Sequence, residues 1–191
     1  MGQFATAPIT PYRLTMNVAD GTITPQGPTL TRRLSDLRGL FADQQAWEAD
    51  RLTEDRIVYS VCSSPVPESD REVAQSITTI MPGVCADELY MTKGHQHPEA
   101  QGEIYLGLAG VGGLLLFDGE RSEWVDMGEG VLGYIPPGWA HRSVNVGREP
   151  YKFLAVYPGC AGHDYQWVLD HGMGKRALRS GDSVTLIDYR F

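Results

Sequence analysis

Apolar and polar residues alternate with a period of two along much of this chain, the signature of half-buried β-strands. Residues 55–64 (DRIVYSVCSS) read as one strand. Residues 74–83 (AQSITTIMPG) read as a second, closed by Pro82-Gly83. The intervening VPESDREV is a polar loop. Residues 112–127 (GGLLLFDGERSEWVDM) predict a hairpin with Asp118-Gly119 near its turn. The segments at 130–146 (GVLGYIPPGWAHRSVNV) and 151–159 (YKFLAVYPG) continue the pattern. The period changes once, in RRLSDLRGLFADQQAWEAD at 32–50. There Leu34, Leu37 and Leu40 or Phe41 recur at helical spacing, Trp47 follows, and Ser35 and Asp36 are candidate caps. This stretch predicts one or two short helices. Residues 1–30, rich in Pro, Thr and Gly, read as an extended arm with a short strand at 12–18. The end of the chain, 166–191, reads as a mixed extension. A short helix is expected at 165–171 and a last strand at 183–189.

The chain of 191 residues holds 22 glycines and 12 prolines, enough turn formers for many short strands. It shows no internal repeat and no low-complexity linker. One domain covering 1–191 is expected, all-β, built as a double-sheet jelly roll or barrel with short N-terminal helices and a mixed C-terminal extension. The formal charge of −8 argues against a nucleic-acid partner, because neutralising phosphates along a strand takes clustered Lys and Arg. It leaves room for a small anion held by a few local donors. Cys62, Cys85 and Cys160 are odd in number and far apart, so they read as free thiols of a cytoplasmic protein. No apolar run approaches the roughly 20 residues of a membrane span, so no membrane partner is expected.

The chemistry concentrates in residues 92–105, TKGHQHPEAQGEIY. Side chains two apart in a strand share a face, which puts His95 beside His97. PEAQG is a turn, and Glu103 opens the next strand with Tyr105 on the same face. If the two strands pair as a hairpin, all four groups line one cavity. Imidazole and carboxylate together suit iron(II), manganese, nickel or zinc. A lone histidine on a strand is more often a satisfied polar residue than a ligand. The pattern around it changes that balance.

A second cluster reads Gly130-x5-Pro136-x-Gly138-x2-His141-x3-Asn145. Together with His95-x-His97, Glu103 and then x6-Gly110, it resembles the paired signature of the cupins. The gap from His97 to Glu103 is longer than in most cupins, and Leu89 stands where a glycine is usual. The resemblance narrows over residues 32–165 to the cupin-type (archaeal-type) glucose-6-phosphate isomerase family. It is carried by RRLSDLRGLF, TTIMPG, MTKGHQH, GEIYLGLAGVGGLLL, YIPPGWAHRSVNVG and FLAVYPGCAGHDY, and a longer His-to-Glu gap belongs to that family's pattern.

That resemblance implies a cupin double-stranded β-helix and an aldose–ketose isomerase acting in glycolysis and gluconeogenesis. One divalent transition metal, iron(II) first and manganese, nickel or zinc otherwise, would be held by His95, His97, Glu103 and His141. The sugar phosphate would meet Tyr59, Thr78, Thr92, Gly94 and Tyr157, and its carbon chain Tyr105, His163 and Tyr165. Thr79 is the alternative to Thr78. Lys93 would be an electrostatic helper, its side chain alternating away from Thr92. Glu103 is the expected general base, with Tyr157 or His163 assisting ring opening. A metal-polarised hydride shift is the competing route, in which Glu103 serves only as a ligand. Family members pair as homodimers, and the N-terminal arm is a candidate contact. Taken singly, Thr78 and Thr92 are ordinary strand residues. Tyr59, Tyr157 and Tyr165 are ordinary half-wet aromatics, His163-Asp164 an ordinary turn, and Trp139 and Trp167 core. The competing readings are another metal-dependent cupin enzyme (a mannose-phosphate isomerase or a dioxygenase) and a non-catalytic sugar-phosphate-binding cupin.

Overall fold

A computed structural model describes residues 11–189. Residues 1–10, the start of the expected arm, lie outside them. The chain runs β1 (Thr15–Asn17), β2 (Thr22–Thr24), β3 (Thr29–Arg33), a 3-10 turn (Leu34–Leu37), α1 (Gln44–Thr53), β4 (Ile57–Ser63) and β5 (Val73–Ile80). Next come β6 (Val84–Cys85), β7 (Glu88–Leu89), β8 (Glu103–Ala109), β9 (Val111–Phe117) and β10 (Ser122–Gly128). The remainder is β11 (Leu132–Ile135), β12 (Ala140–Asn145), β13 (Tyr151–Pro158), α2 (Tyr165–His171), β14 (Lys175–Ser180) and β15 (Ser183–Asp188). The all-β expectation holds.

Two antiparallel sheets make the body. One has the order β11-β8-β13-β5-β4-β3, the other β10-β9-β12. Their inner faces share one core, in which Leu114 and Leu116 of β9 lie on the face that meets Tyr151 and Phe153 of β13, while Leu115 turns to the other face beside Arg142. The sheets approach closely where Gly112 lies under the Tyr151 ring. A Cβ on that glycine would come within 2.3 Å of the ring, so only hydrogen fits. Two smaller sheets complete the described residues, the four-stranded β15-β14-β7-β6 and the two-stranded β1-β2.

Strict alternation decides which residues face inward. In β13 the buried positions are Tyr151, Phe153, Ala155 and Tyr157. Register carries that face sideways. Phe153 lies opposite Thr78 and Ala155 opposite Ser76 on β5, Ala155 lies opposite Tyr105 on β8, and Ile80 lies opposite Tyr59 on β4. One face of the six-stranded sheet therefore collects hydroxyls and aromatic rings from four strands.

Several local expectations are corrected. The strand in the arm is shorter than 12–18. Ser35 and Asp36 do not cap a long helix. Both lie inside the 3-10 turn, where Asp36 accepts from the Arg33 N–H at 2.8 Å and Asp55 accepts from Ser35. The cap of α1 is Asp43, whose carboxylate accepts from the Gln45 and Ala46 N–H groups. The segment bearing His95 and His97 is not a strand paired in a hairpin with β8. It is tied by single bridges, His95 to His141 and Gln96 to Asp164. Strand β14 was not expected in the extension at all. Trp139 and Trp167, the tryptophans assigned to the core, are only partly buried and pack against it; Trp47, not assigned there, is buried, its indole N–H donating to the Leu34 carbonyl.

Candidate active site

Backbone pairing builds the site. Strand β12 is buried throughout and presents His141. The chain at 92–95 is fastened alongside it. Thr92 N–H donates to the Ser143 carbonyl at 2.9 Å, and His95 and His141 exchange backbone hydrogen bonds. Glu103 comes from the first position of β8. One ligand atom from each of His95, His97, Glu103 and His141 lies within 4.8 Å of the others, and all four side chains are buried.

The proton positions in this cluster follow from its partners. His97 Nδ1 lies 2.6 Å from the Gly162 carbonyl, an oxygen that can only accept, so Nδ1 carries the hydrogen. In the neutral ring Nε2 is then a bare lone pair, yet it sits 3.1 Å from Glu103 Oε2, another acceptor. His141 Nε2 is 2.9 Å from the same oxygen but too poorly aligned to bond to it, and His95 Nε2 is buried with no partner. Lone pairs that converge in a buried site call for a cation among them. The residues fit a metal of the type that imidazole and carboxylate prefer. Burial keeps His95 well below the ordinary histidine range, and the neighbouring imidazoles add to this. Burial also acts on His97, but the Glu103 and Gly162 contacts outweigh it and raise its pKa. Glu103 is held below the usual carboxylate range. Burial opposes this, and its contacts with His141 and His97 prevail.

A cavity of about 380 Å³ opens onto this cluster. It is lined by every residue named above as a substrate contact: Tyr59, Thr78, Thr92, Gly94, Tyr105, Tyr157, His163 and Tyr165. Thr78 lines it and Thr79 does not, because Thr79 points to the opposite face, toward Gly21. His163 packs its ring 4.5 Å from His95 and stacks on Tyr165 at 6.1 Å. Asp164 serves the fold by capping α2 through the Trp167 N–H. Burial pushes the Tyr59 hydroxyl up to about 12 and raises Tyr105 and Tyr157 further, so all three stay protonated. Asn145, the last residue of the second motif, is structural. Its amide donates to the Ile80 and Glu149 carbonyls.

Two participants were missed. Glu68, on the polar loop before β5, accepts the Tyr157 hydroxyl at 2.7 Å and lines the cavity. Its loop carries no hydropathy signal, so nothing in the sequence pointed to it. Arg142 donates from Nη2 to the Lys93 carbonyl at 2.8 Å. Its position beside His141 was a signal, but strand alternation places it behind the site rather than in it.

Facing antiparallel sheets with three histidines and one glutamate converging at a cavity define a cupin whose buried cluster could hold a metal. The chain belongs to the glucose-6-phosphate isomerase family, whose model matches residues 31–188. It is 41% identical to the glucose-6-phosphate isomerase of Thermococcus kodakarensis over 180 residues, 93% of this chain and 94% of that protein. To the enzyme of Pyrococcus abyssi it is 39% identical over 168 residues, 87% of this chain and 89% of that one. Among solved structures, the oxalate decarboxylase of Lactobacillus farciminis is similar at a TM-score of 0.45 and 22% identity. That match covers 56% of this chain and 30% of the other. No helix among the described residues is long and apolar enough to cross a membrane.

Proposed function

We propose that this chain interconverts glucose 6-phosphate and fructose 6-phosphate with one divalent transition metal, iron(II) ahead of manganese, nickel or zinc. The observation that carries this reading is the single cavity that joins the four-ligand cluster to the hydroxyl-rich wall. His95, His97, Glu103 and His141 would hold the metal, which supplies Lewis-acid polarisation of the sugar oxygens at C1 and C2.

The chain's own groups do the rest. Tyr59, Thr78, Thr92 and Gly94 offer hydroxyls and a backbone N–H to the phosphate. Tyr105, His163 and Tyr165 bound the carbon chain and keep water from the reacting carbons. Glu103, ionised at neutral pH, takes the proton from C2 of the open-chain aldose and returns it to C1. Tyr157 has committed its hydrogen to Glu68, so its oxygen turns lone pairs to the cavity and accepts from a sugar hydroxyl. His163, whose pKa burial lowers, is neutral and can accept or donate a proton during ring opening.

Two copies would pair. The outward face of β8 and β11 leaves Ile104, Leu132 and Tyr134 exposed, which supports self-association, and sedimentation measures it.

The decisive experiment strips the protein with a chelator, reloads it with each metal and assays conversion of fructose 6-phosphate. Activity lost on stripping and restored by metal is expected. A folded, metal-loaded protein with no turnover would reject the reading. Repeating the assay in deuterium oxide separates the two routes, since proton transfer through Glu103 places solvent deuterium on the product and a hydride shift does not.

A further inference from the structure

The cavity poses an electrostatic problem. Two carboxylates, Glu68 and Glu103, line it, and no lysine or arginine does. A phosphate ester carrying nearly two negative charges would enter against that field. Positive charge stands behind the wall instead: Arg32 reaches the hydroxyl of the lining residue Tyr59, and Arg142 lies deeper.

Arg142 sits on β12 and is 5% exposed. A guanidinium cannot shed its proton, and one this deep is ordinarily paired with a carboxylate. Arg142 is in none of the ion pairs among the described residues. Glu88 is the carboxylate whose field reaches it, but Glu88 is already occupied. Arg176 Nη1 holds both of its oxygens, at 2.7 and 2.9 Å, and the Ala42 N–H donates to it as well. This buried layer therefore contains two guanidiniums and one carboxylate, a net charge of +1.

The geometry aims that charge. Arg142 Nη2 holds the Lys93 carbonyl, and Arg142 Nε has no partner. Gly94 lies directly against it, for a Cβ there would come 3.1 Å from Arg142 Cβ and 3.3 Å from Nε. The Lys93–Gly94 peptide is trans, so its carbonyl and N–H point in opposite directions. With the carbonyl drawn back to Arg142, the Gly94 N–H turns toward the cavity. Gly94 lines that cavity with φ +75°, a conformation that favours glycine.

We propose that Arg142 is the positioning residue of the phosphate subsite, fixing the Gly94 N–H toward the anion and supplying positive charge from behind the wall. This rests on the reading of the cavity as a sugar-phosphate site. It also gives the C-terminal β14 a role. Arg176 neutralises Glu88, which would otherwise cancel Arg142.

The test uses the full-length, metal-loaded protein with Arg142→Met and Arg142→Lys. Binding of inorganic phosphate is followed by calorimetry, with KM and kcat for fructose 6-phosphate and metal content alongside. For Arg142→Met, phosphate affinity falls at least tenfold and KM rises by a similar factor. Its kcat stays within about threefold and its metal content is unchanged, as expected when binding common to ground and transition states is lost. Arg142→Lys, which keeps the charge without the fork, loses less. Unaltered phosphate affinity in a folded Arg142→Met overturns the inference, as does a fall in kcat with affinity intact, which would mark support of His141 instead. Should Arg142→Met not fold, Arg142→Lys decides alone, with unaltered phosphate affinity and KM counting against the inference. A wild-type protein that binds phosphate but does not isomerise sinks the isomerase reading while leaving the Arg142 comparison standing. A wild-type protein that binds no phosphate sinks both.

Discussion

The two ends of the cavity are built differently. At the candidate metal end, four side chains from two short motifs converge with their donor atoms within 4.8 Å. Each is a residue type with few other uses in a buried place. At the phosphate end the groups are common ones, Tyr59, Thr78, Thr92 and Gly94, gathered from β4, β5 and the bridge segment. The positive charge we assign to them, Arg142, does not line the cavity. Dense, chemically unusual residues can make a site directly. Ordinary residues make one only through register and through what stands behind them.

Removing a ligand should have the largest effect. His141→Ala takes away a donor from a buried set and should abolish metal retention, lowering turnover by at least about a hundredfold. Elemental analysis and the isomerase assay check this together. Glu103→Gln should keep the fold and lose most turnover. Near-wild-type turnover with metal bound would remove Glu103 from the chemistry and leave it a ligand.

Proton competition sharpens the contrast. A metal-bound imidazole carries no proton at the ligating nitrogen, and His97 in the free protein holds its proton to a pH above the ordinary histidine value. Metal affinity should therefore fall with pH, beginning above about 6.5, by up to about tenfold per unit. Phosphate-end variants should leave that profile unmoved. Equilibrium dialysis across pH 5–8 is the measurement.

Tyr157→Phe removes the oxygen held by Glu68. Turnover should drop by about tenfold, the weight of one hydrogen bond of about 1.4 kcal/mol, with metal content unchanged. A matching loss in Glu68→Ala would tie the two into one device. The smallest effect belongs to Asp43→Ala, far from both ends. It should cost about 1 kcal/mol in urea unfolding and nothing in activity.

Legibility in the sequence followed the same division. The clustering of the four candidate ligands was readable because His-x-His, Glu103 and the second motif combine rare residue types at fixed spacing. The strands were readable wherever alternation was clean, as in β13, and α2 was found at its observed bounds. Strand β14 was not, because Lys175-Arg176-Ala177-Leu178-Arg179-Ser180 reads as a charged surface, whereas in the fold Arg176 and Ala177 are buried. The supposed hairpin between the histidines and β8 also failed. Local sequence says which residues extend but not which strand an extended segment will lie beside.

By itself the chain determined an all-β cupin, the identity of its candidate metal ligands and the family to which they belong. These are properties of short-range spacing and residue type, which period-two geometry and donor chemistry fix within a few positions. Tertiary structure alone decided that Thr78 rather than Thr79 faces the cavity, that Glu68 takes the Tyr157 hydrogen, and that Arg176 occupies Glu88. Each of these is a contact between residues far apart in sequence, and electrostatics and register act through space rather than along the chain.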